Sequence, residues 1–294
     1  MTRLRSSWVP IGVAMAVMVV WGATPIVTRL ALDDLPPLVI ACLRTVLAGL
    51  VALPLLARGH QAMPTSTTSR KLLVISAAAG FVIFPVLYTV GQQRTSALHG
   101  VMILAVLPVF TGAYASLVAR RMPRRAWLVG CAVAIGGEVV LIGGRGAAAN
   151  DATLTGDLLV LAAALVVTAG YVAGAMLPPR GVSSLSATLW GVVVGSVLLG
   201  PLVVGIFVAD GVPDASVKSW GAVVFLALAT SILGYFGWYW ALDRGGIQRI
   251  ATFQFLQPVS GLILAALVLG EHVTVPIAVG GALIVGGVVI AQRA

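Results

Sequence analysis

The chain has 294 residues, of which 60% are hydrophobic and only 9% are charged, and its formal net charge at pH 7 is +9. Soluble domains carry roughly 25% charged residues, so this composition excludes a soluble enzyme and predicts an integral membrane protein in contact with lipid. In such a protein the positive charge sets the orientation of the spans, and no nucleic-acid partner is expected.

Ten apolar segments follow one another, each near the length of about 20 residues that a helix needs to cross a bilayer. They cover residues 9–31, 36–57, 72–92, 96–118, 126–144, 156–178, 184–207, 219–242, 248–269 and 273–291. The first resembles a signal peptide, but it is long for one and lacks a convincing cleavage site, so we interpret it as a retained span. The segments predict an all-α membrane protein with ten transmembrane helices.

The second half of the chain repeats the first half at a fixed offset of 150 residues. Pro108 recurs as Pro258 (258 − 108 = 150), and Gly136 recurs as Gly286. The two predicted repeats are residues 1–144 and 156–294, with five spans in each. When a unit with an odd number of spans is duplicated through a short loop, the second copy enters the bilayer upside down. Inverted repeats of this kind are common in secondary transporters.

Lysine and arginine residues lie mainly in segments on the same side as the N-terminus. That side holds Arg3, Arg5, Arg58, Arg70, Lys71, Arg120, Arg121, Arg124, Arg125, Arg180, Arg244, Arg249 and Arg293. The opposite side holds Arg29, Arg94, Arg145 and Lys218. Because positively charged loops stay in the cytoplasm, we expect both termini to be cytoplasmic in a multi-pass protein of the cell inner membrane.

Several short motifs occur in the order found in a known group of transporters. They are Trp21-Gly22, Leu43-Arg44, Pro108-Val109-Phe110, Pro258-Val259-Ser260 and Gly270-Glu271, followed by a glycine-rich last span. With the five-plus-five layout, they make the chain resemble the EamA-type family of the drug/metabolite transporter superfamily. Family members often carry a glutamate after the fourth span too, where this chain has Arg121. The resemblance implies export or exchange of small polar metabolites, such as amino acids.

Two opposite charges inside spans are candidates for function, because intramembrane ionisable residues usually face a cavity or a partner. Arg44 lies roughly 12 Å below the outer face of the second span, and Glu138 lies roughly 9 Å from the outer end of the fifth. They are predicted either to form an ion pair with a possible coupling role, or to act separately, with Arg44 attracting a substrate carboxylate. A purely structural ion pair is the alternative.

The ninth span carries two amides, Gln254 and Gln257, at a helical spacing that puts them on one face. Amides donate to carboxylates and accept from ammonium groups, which suits a zwitterionic solute. Their counterparts in the first repeat are Leu104 and Leu107, so a polar site here is asymmetric. Hydrogen bonding between helices is the alternative.

Aromatic and hydroxyl side chains provide the remaining candidates for substrate binding. They are Trp21 and Thr24 in the first span, Tyr88 in the third, and Tyr235 and Trp238 in the eighth. The alternative for such aromatic residues is an interfacial belt at the span ends. We place Tyr239 in this belt. We also interpret the lone His99 as an interfacial residue.

Three prolines are predicted gating points, because proline removes a helical hydrogen bond and loosens the helix. Pro25 lies in the first span, whereas Pro108 and Pro258 form a pair related by the repeat. A tolerated kink is the alternative for Pro25. Small residues at spacing four predict a close-packing face in the fifth and last spans, as scaffold or as the surface of a possible homodimer: Ala132, Gly136, Ala278, Ala282 and Gly286.

No nucleotide-binding loop or zinc-binding pattern occurs in the sequence, so no catalytic residue, metal or cofactor is predicted. We therefore expect a secondary transporter, a probable exporter that takes a small-molecule substrate across the membrane by alternating access. The alternatives are a polytopic membrane enzyme that acts on a lipid-linked substrate, and a scaffold or sensor that transports nothing.

Overall fold

The computed structural model describes residues 8–59, 61, 63–118, 120, 125–143, 153–245, 250, 252–270 and 272–292, and within these ranges the chain is helical, without strands. The helices are α1 Trp8–Leu32, α2 Pro37–Arg58, α3 Thr67–Gln92, α4 Ala97–Tyr114, α5 Arg125–Gly143, α6 Leu154–Arg180, α7 Ser184–Asp210, α8 Val217–Gly245, α9 Leu256–Leu269 and α10 Val275–Gln292. Seven of them are long and apolar enough to cross a membrane, and shorter apolar segments lie in α5, α9 and α10. The described part of the chain is therefore an all-α fold with membrane-spanning helices.

Side-chain caps fix where many of these helices begin. Ser66 accepts a hydrogen bond from the third residue after it at the start of α3, and Ser216 does the same at the start of α8. Ser96, Thr153 and Ser183 cap α4, α6 and α7. Each cap satisfies a backbone N–H that has no partner within the helix, and Ser66 and Ser216 are separated by the repeat offset of 150.

Two helices contain wider, π-helical turns at positions related by the same offset. The segment Ala78–Ile83 lies in α3, and Leu226–Gly234 lies in α8. Adding 150 to the first segment gives 228–233, which falls inside the second. Because π-turns shift the backbone hydrogen-bonding register, they free carbonyls for other donors and are frequent at functional sites.

The three predicted proline positions coincide with irregular helix. The first helix has a turn at Ala23, and Pro25 lacks the N–H that would bond to the carbonyl four residues earlier. A short interruption at residues 105–106 precedes Pro108, and a 3₁₀ turn at Thr252–Phe255 precedes Pro258. The backbone is thus loosened near each proline.

The pairs of helices that pack together are related by the repeat offset of 150 residues. The two most extensive contacts join α2 to α7 and α5 to α10, and each joins a helix to its own counterpart. The contacts of α1 with α8 and α9 correspond to those of α6 with α3 and α4. The four helices α1, α6, α3 and α8 therefore surround the centre of the molecule.

Glycines bring α5 and α10 close together, but not through the predicted small-residue face. A side chain at Gly137 would lie 2.7 Å from the carbonyl oxygen of Gly280, and one at Gly287 would lie 2.4 Å from the amide of Ala134. Gly136 has nothing within 4 Å and is exposed with the rest of its face. As a packing face between these two helices, the predicted set was therefore wrong by one residue, because both glycine pairs share a spacing and the sequence does not show which one meets the partner; as the surface of a possible homodimer, it stays a prediction.

Polar contacts tie loops together on two sides of the helix bundle. The turn after α1 is joined to the start of α8, where Lys218 lies 2.7 Å from Asp33, and Ser219 donates to Asp34 at 2.7 Å. Hydrogen bonds from Ser216 and Ser219 hold the pKa of the Asp34 carboxyl below its usual value. At the opposite helix ends, Gln61 accepts from Ser183 at 2.8 Å.

Candidate functional site

A small cavity lies between α1, α2, α3, α4, α6, α8 and α9. Ten residues line it: Trp21, Thr24, Arg44, Phe84, Leu104, Leu107, Tyr171, Thr230, Tyr235 and Gln257. Trp21 and Thr230 are close to the middle of their helices. The cavity therefore lies near mid-depth, at the junction of the two halves of the chain.

Arg44 provides the only full charge among the lining residues, all of which are described. Its side chain is 2% exposed, and Nη2 donates to the Thr230 hydroxyl at 2.8 Å and more weakly to the Ser231 hydroxyl at 3.4 Å. Nη1 and Nε are buried and have no hydrogen-bond partner in the described part of the chain. Because an unpaired buried charge is costly, these free donors mark a place where an anion would be stabilised.

The π-helical turn of α8 positions the two hydroxyls that hold Arg44. Thr230 and Ser231 both donate their own protons to the carbonyl of Leu226, at 2.6 and 3.0 Å. Each hydroxyl oxygen is then left to accept from the guanidinium group. These hydrogen bonds fix the direction of Nη2, whereas the other nitrogens of the guanidinium group have no described hydrogen bond.

Trp21 and Tyr171 stack face to face at the centre of the cavity, with ring centroids 5.4 Å apart and an interplanar angle of 11°. They occupy equivalent positions in the two repeats (171 − 21 = 150). The sequence analysis missed Tyr171, although the repeat offset from Trp21 was a signal that pointed to it. Tyr235 packs edge-on against Trp21, with a centroid distance of 5.4 Å, and tilts against Phe81 at 4.5 Å.

In each π-helical turn, a backbone carbonyl accepts a hydrogen bond from an aromatic side chain. Trp21 Nε1 donates to the carbonyl of Thr230 at 3.0 Å, and the Tyr235 hydroxyl donates to the carbonyl of Gly80 at 3.2 Å. Gly80 and Thr230 are again 150 residues apart. The aromatic cluster is therefore locked in place by backbone groups that regular α-helices would have used internally.

Two helices that the repeat relates, α4 and α9, contribute different kinds of side chain to the cavity. Leu104 and Leu107 of α4 form an apolar wall, and Gln257 of α9, the counterpart of Leu107, lines the cavity with an amide. Gln254 is 3% exposed, does not line the cavity, and has no partner for either amide atom. The structure thus separates two amides that the sequence treated alike.

Other predicted site residues lie close to the cavity without lining it. Tyr88 is fully buried and stacks on Phe84 with centroids 5.2 Å apart. Trp238 lies 5.8 Å from Trp21, measured between ring centroids. Pro25 and Pro258 are buried, and Pro108 is half-buried.

The side chain of Glu138 lies outside the described part of the chain, as do Arg121 and Glu271. Arg44 therefore has no described carboxylate partner, and the predicted pairing with Glu138 stays a prediction.

Tyr239 was wrongly placed in an interfacial belt. It is 1% exposed, and its hydroxyl lies 3.1 Å from that of Ser76 on α3. The sequence position near a span end could not show that α3 and α6 cover the ring.

A buried polar cluster joins the beginnings of α4 and α6. Nδ1 of His99 lies 3.2 Å from both carboxylate oxygens of Asp157, and Thr95 donates to Oδ1 at 2.5 Å. His99 and Asp157 are 1% and 0% exposed. The expectation of an interfacial His99 was wrong, because its partner lies 58 residues away on another helix and no local pattern connects them.

Comparison with known proteins gives a family for the whole chain. The model of the EamA-like transporter family matches residues 8–143 and 154–292. The uncharacterized transporter YdeK of Bacillus subtilis is 30% identical over 93% of this chain and 92% of its own length. A probable amino-acid metabolite efflux pump of Salmonella typhimurium is 29% identical over 94% of this chain and 92% of its own.

More limited matches point the same way. A probable terminal-alkyne amino-acid exporter of Streptantibioticus cattleyicolor is 30% identical over 76% of this chain and 73% of its own. A solved crystal structure aligns with a TM-score of 0.66 over 96% of both chains at 19% identity, which shows a shared fold. Since the family model covers both halves, the chain belongs to the EamA-like transporter family.

Proposed function

We propose that this protein is a secondary transporter that exports small polar metabolites, such as amino acids, across the inner membrane by alternating access. The observation that carries the proposal is Arg44, which is buried in a mid-depth cavity with unused hydrogen-bond donors. Transporters with repeated halves bind their substrates near the midplane, between the repeats. The relatives named as amino-acid exporters favour this substrate class over the alternative of an enzyme acting on a lipid-linked substrate.

The proposed architecture is ten transmembrane helices in two inverted repeats, residues 1–144 and 156–294, with both termini cytoplasmic. Three observations support it: the two successive family-model matches, the exchange of helix contacts by the offset, and the equivalent π-helical turns. In an inverted pair, the two repeats can exchange conformations. This exchange turns a cavity that is open to one side of the membrane into a cavity that is open to the other side.

The two sets of loop contacts are the proposed gates. One gate contains Asp33, Asp34 and Lys218 near the ends of α1 and α8, and the other contains Gln61 and Ser183 at the opposite ends. To open either gate, α1 and α6 must move against their neighbouring helices. Pro108 in α4 and Pro258 in α9 would make this movement easier, because the backbone is loosened near each proline.

The proposal is tested by a solute-efflux screen in cells that lack their own exporters, followed by counterflow in proteoliposomes. We expect labelled solute to accumulate transiently in vesicles preloaded with the same unlabelled solute. The Arg44→Ala protein should insert normally, elute as a single species in detergent, and lose at least about 90% of the flux. Full activity of that variant, or turnover of a lipid substrate without flux of any solute, would refute the proposal.

A further inference from the structure

We infer that the cavity selects solutes with a net negative charge, namely monocarboxylates with a short apolar chain, over zwitterionic amino acids with the same chain. The inference rests on the proposed function and specifies its substrate class. It follows from the charges in the cavity, from the unused donors of Arg44, and from the division of the cavity into polar and apolar walls.

The cavity contains one positive charge and no negative one. Arg44 is the charged residue among the ten that line it, and none of these ten is acidic. Its described hydrogen bonds go to neutral hydroxyls. Because buried charges are stable only when paired, a solute with a net charge of −1 would neutralise the charge of Arg44.

The donors of Arg44 can bind a carboxylate, either singly through Nη1 or Nε or in a pair of bonds that one of them shares with the second N–H of Nη2. A guanidinium group has five N–H donors in a planar fork, which can form two parallel bonds to one carboxylate. Nη2 is held by Thr230, whereas Nη1 and Nε are buried and unpartnered. A bound carboxylate would satisfy donors that no described protein group satisfies.

An ammonium group would have no equivalent partner in this cavity. The side-chain acceptors that line the cavity with Arg44 are the hydroxyls of Thr24, Thr230, Tyr171 and Tyr235 and the amide oxygen of Gln257, all of which are neutral. The aromatic faces of Trp21 and Tyr171 already stack on each other, which leaves fewer faces for a cation. An α-ammonium group would also approach the positive charge of Arg44, so an amino acid loses stabilisation that its deaminated analogue keeps.

The apolar part of the lining suits a short apolar chain. It consists of Phe84, Leu104 and Leu107. Apolar surfaces gain stability by excluding water, so a branched chain of a few carbons fits this wall while the carboxylate reaches Arg44. A 2-oxo acid such as 4-methyl-2-oxopentanoate combines these features.

Three solutes with the same branched chain test the inference in proteoliposomes of the wild-type protein. They are 4-methyl-2-oxopentanoate, L-leucine and 3-methylbutylamine, which are an anion, a zwitterion and a cation. We expect the oxo acid to inhibit its own labelled counterflow at a concentration at least about tenfold lower than leucine does, a difference of about 1.4 kcal/mol. The amine should not inhibit.

Matched variants connect this preference to Arg44. The Arg44→Lys protein should keep the order of the three solutes with weaker binding, and the Arg44→Gln protein should bring the oxo acid and leucine within about twofold. A tenfold preference that persists in Arg44→Gln would overturn the assignment to Arg44. Because the solute series is measured on the wild type, misfolding of a variant would not remove the test.

The outcomes separate the inference from the proposed function. Leucine that inhibits as well as the oxo acid, or better, would overturn the preference for anions and leave a transporter of amino acids. Flux of an unrelated solute, with none of the three recognised, would overturn the substrate class alone. Absence of flux for every solute in the efflux screen would overturn both.

Discussion

Gln254 lies in the 3₁₀ turn that precedes α9 and Gln257 lies in α9, and the structure predicts that replacing them has different consequences. Gln257 lines the cavity, whereas Gln254 is buried beside it with both amide atoms unpartnered. The change Gln257→Leu gives α9 the residue that α4 has at the equivalent position. It removes a hydrogen bond to the solute while keeping the volume of the wall nearly constant.

The expected magnitude follows from the type of bond that is lost. A hydrogen bond to a charged group contributes about 1.5–3 kcal/mol, which corresponds to an increase of about 10- to 100-fold in KM for counterflow. The thermal midpoint of the purified protein should change little, because the cavity side of Gln257 has no described protein partner to lose.

Gln254→Leu is the matched control for this prediction. Removing a buried amide without partners relieves a desolvation penalty of about 1–3 kcal/mol, so the thermal midpoint should rise and KM should stay within about twofold. Counterflow kinetics and thermal unfolding of both variants provide the comparison. An equal loss of transport in both variants, or a larger loss in Gln254→Leu, would refute the placement of the solute against Gln257.

Three further predictions concern packing, the buried polar cluster and the prolines. Gly22→Ala should lower the thermal midpoint by an amount equivalent to about 1–3 kcal/mol, because the added carbon would lie 2.7 Å or less from atoms of α9. Gly12→Ala is the control and should not lower the midpoint, because the space around Gly12 is open. His99→Ala removes a hydrogen-bond partner from the buried carboxylate of Asp157, so it should lower the thermal midpoint by an amount equivalent to about 1–3 kcal/mol; an unchanged midpoint would show that the contact does not stabilise the fold. The double change Pro108→Ala, Pro258→Ala should slow the maximal rate of counterflow severalfold without raising KM, and unchanged kinetics would contradict the gating role.

The sequence predicted helices and their order well because hydrophobic segment length is a direct signal of membrane spans. The expected second span, 36–57, corresponds to Pro37–Arg58, and the expected seventh, 184–207, corresponds to Ser184–Asp210. The repeat offset also predicted which helices are equivalent. It could not show that equivalent helices pack against each other, because that depends on where the two halves meet.

The candidate site was predicted in part. Five of the eight residues predicted to bind substrate line one cavity, and their binding role stays a prediction: Trp21, Thr24, Arg44, Tyr235 and Gln257. Tyr171 and Thr230 were missed for different reasons. Tyr171 is related to Trp21 by the offset but is a different residue type, and Thr230 becomes available to Arg44 only through a π-helical turn, which has no local sequence signal.

The two glutamines show the limit of helical periodicity. Residues three apart are separated by about 60° around a regular α-helix and share a face broadly, but Gln254 lies in the 3₁₀ turn Thr252–Phe255, where the rotation per residue differs. The sequence placed both in the polar wall, and only the packing of α9 against α1 and α4 determines that Gln257 lines the cavity.

The central claim is that the cavity beside Arg44 opens alternately to the two sides of the membrane. Its most direct test is a single cysteine at a lining position, Thr24→Cys, in a protein whose own Cys42 and Cys131 are replaced by serine. Labelling with a membrane-impermeant thiol reagent is then measured in right-side-out and inside-out vesicles. The account predicts labelling from both sides, slowed in both cases by a transported solute; labelling from one side only, whether or not solute is present, would contradict it.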